Sequence, residues 1–114
     1  MNPNHVELLV GEVLLGDITN KYLYVGDSPE DISTVADSFI NRIVEEGYPM
    51  AVRPGQIVVN ETQKFMFVHK DKYRCLVKGM SFNRIFINVC DNEDRDQIKR
   101  DLAPGIVCQN GDFV

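Results

Sequence analysis

The stretch KGMSFNRIFINVCDNED, Lys78 to Asp94, holds the residues whose types and spacing come nearest to working chemistry. An apolar run, Arg84–Val89, empties into Asp91, Glu93, Asp94 and Asp96. Carboxylates crowded at a strand exit suit a hard cation such as Mg²⁺ or Ca²⁺, which takes oxygen ligands. The same acids suit the first turn of a helix, where aligned peptide dipoles attract negative charge. The spacing lacks the D-x-[DN]-x-[DN]-G loop with a later Glu that marks a calcium site. The helix start is therefore the simpler reading, and neither a metal nor another cofactor is assigned.

His5 and His69 are the only histidines, and nothing in the spacing joins either to a nucleophile. Ser-His-Asp and Cys-His partners meet in space rather than in sequence, so no catalytic residue is assigned and the chain reads as a non-enzyme. His69 ends an apolar run beside a turn, which places it on the surface. Cys75, Cys90 and Cys108 are odd in number and widely spaced. That argues against a disulfide framework and for a reducing compartment, the cytoplasm. Cys75 and Cys90 sit in strand-like patterns and read as small core residues.

The most suggestive feature is charge. The chain of 114 residues carries a net charge of -5, unevenly spread. Residues 1–63 hold three basic side chains against ten acids, and residues 85–114 hold three against six. Residues 64–84 hold six, Lys64, Lys70, Lys72, Arg74, Lys78 and Arg84, against Asp71 alone. Phe65, Phe67, Tyr73 and Phe82 are interleaved with them. Basic and aromatic side chains on a sheet can pair phosphates and stack bases. Lys70, Lys72, Arg74, Lys78 and Arg84 are accordingly the candidate surface for an anionic ligand or an acidic partner. The duller reading is a solvated Lys-rich hairpin that guards a sheet edge, with Phe65 and Phe67 turned to the core and Lys64, Met66 and Val68 turned away. The total charge opposes general nucleic-acid binding.

These residues need elements to hold them. An apolar fraction of 44% and a charged fraction of 25% are those of an ordinary globular protein, long enough for one domain over 1–114 with a real core. No apolar run is long enough to span a bilayer, and MNPNHVELL lacks the basic start of a secretory signal. SPEDISTVADSFINRIVEEGYP predicts a helix from about Pro29 to Glu46, capped by Ser28 and opened by Pro29, with Glu30 and Asp31 at its positive end. Ile32, Val35, Ala36, Phe39, Ile40, Ile43 and Val44 share one face, and Gly47 and Pro49 end it. KYLYVGD predicts a strand leading directly into that helix. Further strands are expected at Met50–Val52, Gln56–Val59, Lys64–His69, Arg74–Val77 and Arg84–Val89, with hairpin turns at 60–63 and 70–72. DNEDRDQIKRDLAPG predicts a polar helix capped by Asp91 or Asn92, with Ile98 and Leu102 inward and Pro104-Gly105 as its stop. The tail IVCQNGDFV fits a last strand, with a turn at Asn110-Gly111. Residues 4–15 fit a helical face through Val6, Leu9, Val10, Val13 and Leu14 with Gly16 as exit, or a strand; their length and lack of turn signals favour the helix. The expected fold is a single α/β domain: a mixed sheet with hairpin strands, flanked by two or three helices.

KYLYVGDSPED followed by VKGMSFNRIFIN resembles, over about Lys21–Asn88, the core of helicase- and terminase-type P-loop ATPases and the stripped-down versions of it in small phage proteins. In that family a strand, a phosphate loop and a helix precede a strand ending in a magnesium-binding acid. The resemblance implies a shared architecture and a dead site. A phosphate loop needs G-x-x-x-x-G-K-[ST], and here Val25–Asp31 offers one Gly, no Lys and three acids. The magnesium-binding acid would fall on Asn88, which is neutral. The implied function is a non-catalytic accessory protein of phage or mobile-element type, located in the host cytoplasm, that acts by contact with a host or viral macromolecule as inhibitor or adaptor. A protein partner is expected and a homo-oligomer is compatible with the reading. The alternatives are a binder or sensor of a nucleotide-like anion through residues 64–84, and a degenerate P-loop NTPase.

Overall fold

The computed structural model describes residues 4–15, 19–76, 80–103 and 112–113. Its centre is β1 (Lys21–Gly26), whose residues after Lys21 are all buried. A strand buried on both faces reads as a continuous apolar run, as YLYV does. β1 feeds α2 (Pro29–Glu46) as expected. The Ser28 side chain accepts from the Asp31 N–H, and Gly47 ends the helix at φ 81°, a left-handed conformation that glycine adopts without steric cost. α1 (Asn4–Leu15) is helical, with Leu9, Val10 and Val13 buried; Leu14, assigned to the inner face, is exposed.

After α2 the chain forms an antiparallel meander of β2 (Met50–Arg53), β3 (Gln56–Val59) and β4 (Gln63–His69). β4 pairs parallel to one side of β1, and β5 (Arg84–Asn88) pairs parallel to the other. α4 (Asn92–Leu102) then leads towards β6 (Asp112–Phe113), parallel to β5. The sheet order is β2-β3-β4-β1-β5-β6. This is the mixed α/β sheet that was expected, with three helices of eleven residues or more among the described residues and the short helical turn α3 (Tyr73–Leu76).

α1 and α2 cover one face over Tyr22, Tyr24, Phe65, Phe67 and Phe86, and Phe39 and Ile43 are fully buried there. Ile98 and Leu102 of α4 and Tyr73 of α3 cover the other face over Leu23, Val25, Ile85 and Ile87.

Two expectations fail together. Arg74–Val77 is not a strand: Tyr73–Leu76 is a helical turn, and Val77 lies outside the described residues. Lys70-Asp71-Lys72 is not a hairpin turn either. β4 and β5 are both parallel to β1 and lie on opposite sides of it, so the chain between them must cross over, which a tight hairpin cannot do. The turn instead opens that crossover, with the Lys72 N–H bonded to the His69 carbonyl at 2.9 Å. The cysteines are corrected for the same reason. Cys75 sits on the outer side of α3, and Cys90 lies past the end of β5, so both are exposed. Gly16, Val77–Gly79, Pro104–Gly111 and with them Lys78 and Cys108 lie outside the described residues.

Candidate functional site

β1 and β5 are adjacent and parallel, yet the helices that follow them go to opposite faces of the sheet. In doubly wound sheets, such a reversal leaves a crevice at the carboxyl ends of the strands, the usual place for a ligand. Here it is bordered by Gly26–Ser28 after β1, His69 and Lys70 after β4, and Asn88–Asp91 after β5. Gly26 is needed for its geometry. A Cβ there would stand 2.6 Å from Ile32 Cγ1 and 3.0 Å from Asp31 Oδ2, so a larger residue would force the first turn of α2 or its side chains to shift.

Asp27 is the hub. Its Oδ2 accepts the Cys90 N–H at 3.0 Å, and its Oδ1 faces Lys70 Nζ at 3.2 Å. The Cys90 amide, and then Lys70, hold this carboxyl below the usual carboxylate range. Lys70 also reaches Asp94 Oδ2 at 3.3 Å, and its ammonium is raised by hydrogen bonds to Asp27 and Asp94. The Cys90 thiol is pushed up by its hydrogen bond to Asp27 and by that residue's charge. His69 is only 21% exposed rather than on the open surface. The Asp71 N–H donates to its Nδ1 at 3.3 Å, which leaves Nε2–H to donate to the Asp27 carbonyl at 3.0 Å.

Beneath this hub lies a second network. Tyr24 O–H donates to Asp31 Oδ2 at 3.1 Å. Asn88 Nδ2 donates to the Tyr24 hydroxyl at 2.8 Å and to the Asp31 carboxylate oxygens at 3.1 and 3.2 Å. Burial, with Asp31 assisting, raises the Tyr24 phenol well above its ordinary value against the opposing Asn88 bond. The phenol is thus a fixed donor at neutral pH, its proton directed to the Asp31 carboxylate. His5, buried, packs edge-on to Tyr24 at 5.8 Å between ring centroids.

Asn88 therefore occupies the position where the resemblance puts a metal-binding acid, and its amide ties β5 to β1 and α2. Asp91 caps α4, accepting the Glu93 and Asp94 N–H groups at 2.8 and 3.1 Å, so the acid run begins as a helix start. Among the described residues, no group of three His, Cys, Asp or Glu side chains is placed to hold a metal ion.

The basic segment is divided. Lys70 sits at the carboxyl end of the parallel strands, tied to Asp27 and Asp94. Arg74 Nη2 lies 2.9 Å from Asp101 Oδ2, with Tyr73 hydrogen-bonded to the same carboxylate. Arg84 starts β5, at the opposite end, with Nη1 3.3 Å from Glu12 Oε1. Lys72 is exposed. Phe65, Phe67, Tyr73 and Phe82 are buried. The alternation forecast for Phe65 and Phe67 accounts for two of these rings. Sequence reading missed the Tyr24–Asp31–Asn88 network. The signal for it is a polar Asn ending an apolar strand, a residue that is costly to bury without partners.

Compared with known proteins, the chain matches no family model, no curated protein and no solved structure.

Proposed function

We propose that this chain is a non-catalytic binding protein of phage or mobile-element type, acting in the host cytoplasm by contact with a macromolecule as an inhibitor or adaptor. The phage assignment rests on the resemblance in Lys21–Asn88 alone. One observation supports the rest of the reading: the polar groups of the crevice are spent on one another. Asp27 is engaged by Cys90 and Lys70, and Asp31 and Tyr24 by each other and by Asn88. Catalysis needs groups preorganised towards a substrate, and these are preorganised towards themselves. Among the described residues, no helix is long and apolar enough to cross a membrane.

A second reading, capture of a nucleotide-like anion, draws on a cleft of about 240 Å³ lined by Lys70, Tyr73, Arg74, Asp94 and Gln97. Both cations there already face carboxylates, which an anion would have to displace. A degenerate P-loop NTPase ranks last, because Val25–Asp31 has no Lys and Asn88 is neutral. The test is phosphate release from ATP and GTP with magnesium, beside a host-lysate pull-down. No turnover together with a specifically captured protein is expected. Turnover that Asn88→Ala abolishes would overturn the proposal.

A further inference from the structure

We infer that the half of the sheet left uncovered by α3 and α4 is a docking surface for an acidic polypeptide segment of the partner protein. The inference rests on the binding reading above and names its surface. Ile57, Val59, Phe65 and Phe67 point into the core under α1 and α2, so their neighbours along the strands point to the opposite face. Strand register arranges those neighbours in two rows. One row runs Ala51, Val58, Lys64, Lys21, and the next runs Arg53, Gln56, Met66, Leu23. Leu23 lies in the core beneath α4, but Lys21, Ala51, Arg53 and Lys64 are exposed and Gln56, Val58 and Met66 are half-buried.

Charge gives this surface its direction. Lys21 and Lys64 are register partners on β1 and β4, about 4.8 Å apart from strand to strand. Like charges side by side on a sheet repel. Among the described residues, Lys21, Arg53 and Lys64 have no carboxylate partner, unlike Arg42, Lys70, Arg74 and Arg84; Lys72, Arg95, Lys99 and Arg100 also lack one, but they lie on α4 or in the crossover and not on this sheet face. Neither row contains an acid. In a chain with net charge -5, this open face thus carries three cations with no acid beside them along either row. A dimple of about 80 Å³ between Lys21, Gln56, Lys64, Met66 and Met80 interrupts it.

The complementary occupant is anionic, and two features favour polypeptide over nucleic acid. The rings of Tyr22, Phe65 and Phe82 are buried, so no aromatic platform is offered for bases to stack on. Between the cations lie Val58, Met66 and Met80, whose apolar, adaptable surfaces suit protein side chains.

The experiment is an NMR titration of the isotope-labelled chain with a peptide alternating Glu and Val. A Lys-Val peptide and a thymidine oligonucleotide serve as controls. Saturable shifts should gather at Lys21, Arg53, Gln56, Val58, Lys64 and Met66 and fade as salt screens the charges. Lys21→Glu/Lys64→Glu should weaken binding roughly tenfold, as two reversed exposed pairs imply. Lys21→Gln/Lys64→Gln should weaken it less, with thermal unfolding unchanged. No binding of the acidic peptide, shifts centred on Lys70–Arg74, or equal binding of the oligonucleotide would each overturn the inference. In the lysate pull-down, equal capture by wild type and Lys21→Glu/Lys64→Glu sinks this surface and spares the binding reading, whereas no capture at all sinks that reading itself.

Discussion

Asn88→Asp tests whether the crevice is closed by design or is a vacated cation site. The side chain keeps its shape and exchanges an amide donor for a carboxylate. Two kinds of bond are lost. The donation to the Tyr24 hydroxyl at 2.8 Å is a neutral bond worth about 1 kcal/mol, and the donation to the Asp31 carboxylate at 3.1 Å is charge-assisted, worth about 1.5–3 kcal/mol. Repulsion adds to this: two unit charges about 4 Å apart at an effective dielectric of 20 cost about 4 kcal/mol. Protonation of the introduced carboxyl or its rotation towards solvent relieves much of that, because Asn88 is only half-buried. A net destabilisation of about 3 kcal/mol at pH 7 follows. The introduced carboxyl, beside Asp31, has a folded pKa above its unfolded value near 3.9. Its deficit is therefore complete above the folded pKa and shrinks as pH falls towards the unfolded one. Urea unfolding of wild type and variant at several pH values, with and without magnesium, measures this. An unchanged stability at pH 7 would refute the energetic assignment of Asn88. A variant restored by magnesium would refute the closed-crevice reading, because the two carboxylates would then be metal ligands.

Three further outcomes follow from the packing and electrostatics. Phe39→Ala should cost about 3–5 kcal/mol in denaturant unfolding, the range for a buried aromatic, because Phe39 is 0% exposed between Phe65 and Phe67; a loss below about 1 kcal/mol would mean that α2 is not seated as described. Asp27 has a depressed carboxyl, so its contribution is present above its unfolded pKa and is lost as pH falls through the lower folded value. Asp27→Asn should flatten that part of an acid-unfolding curve, at a cost of about 1 kcal/mol at pH 7, and an unaltered curve would dismiss the hub. In a Cys75→Ser/Cys108→Ser background, Cys90 should react slowly with a disulfide reagent at neutral pH despite its exposure, since Asp27 raises its thiol and the thiolate is the nucleophile; adding Asp27→Asn should speed the reaction, and an identical rate would contradict the assignment.

What the sequence determined by itself was local. Ser28, Pro29 and Gly47 bound α2 because caps act within a turn of the residues they satisfy. The apolar run after Lys21 marked a strand leading into α2, and Asp91 marked the start of α4. Only the tertiary structure decided the rest. Whether 70–77 closed a hairpin or opened a crossover depended on β4 and β5 flanking β1, a pairing that no local pattern around Tyr73 or Cys75 encodes. The crevice joins Asn88 to Asp31 across 57 residues and Cys90 to Asp27 across 63. The cluster of cations near each other in sequence, Lys70 and Arg84 above all, is split between the two ends of the sheet, because the crossover from the end of β4 to the start of parallel β5 must return along the sheet. Lys21 and Lys64, distant in the chain, become neighbours through parallel register. Backbone propensity and capping are read from adjacent residues, whereas charge pairing and sites are fixed by which strands lie side by side.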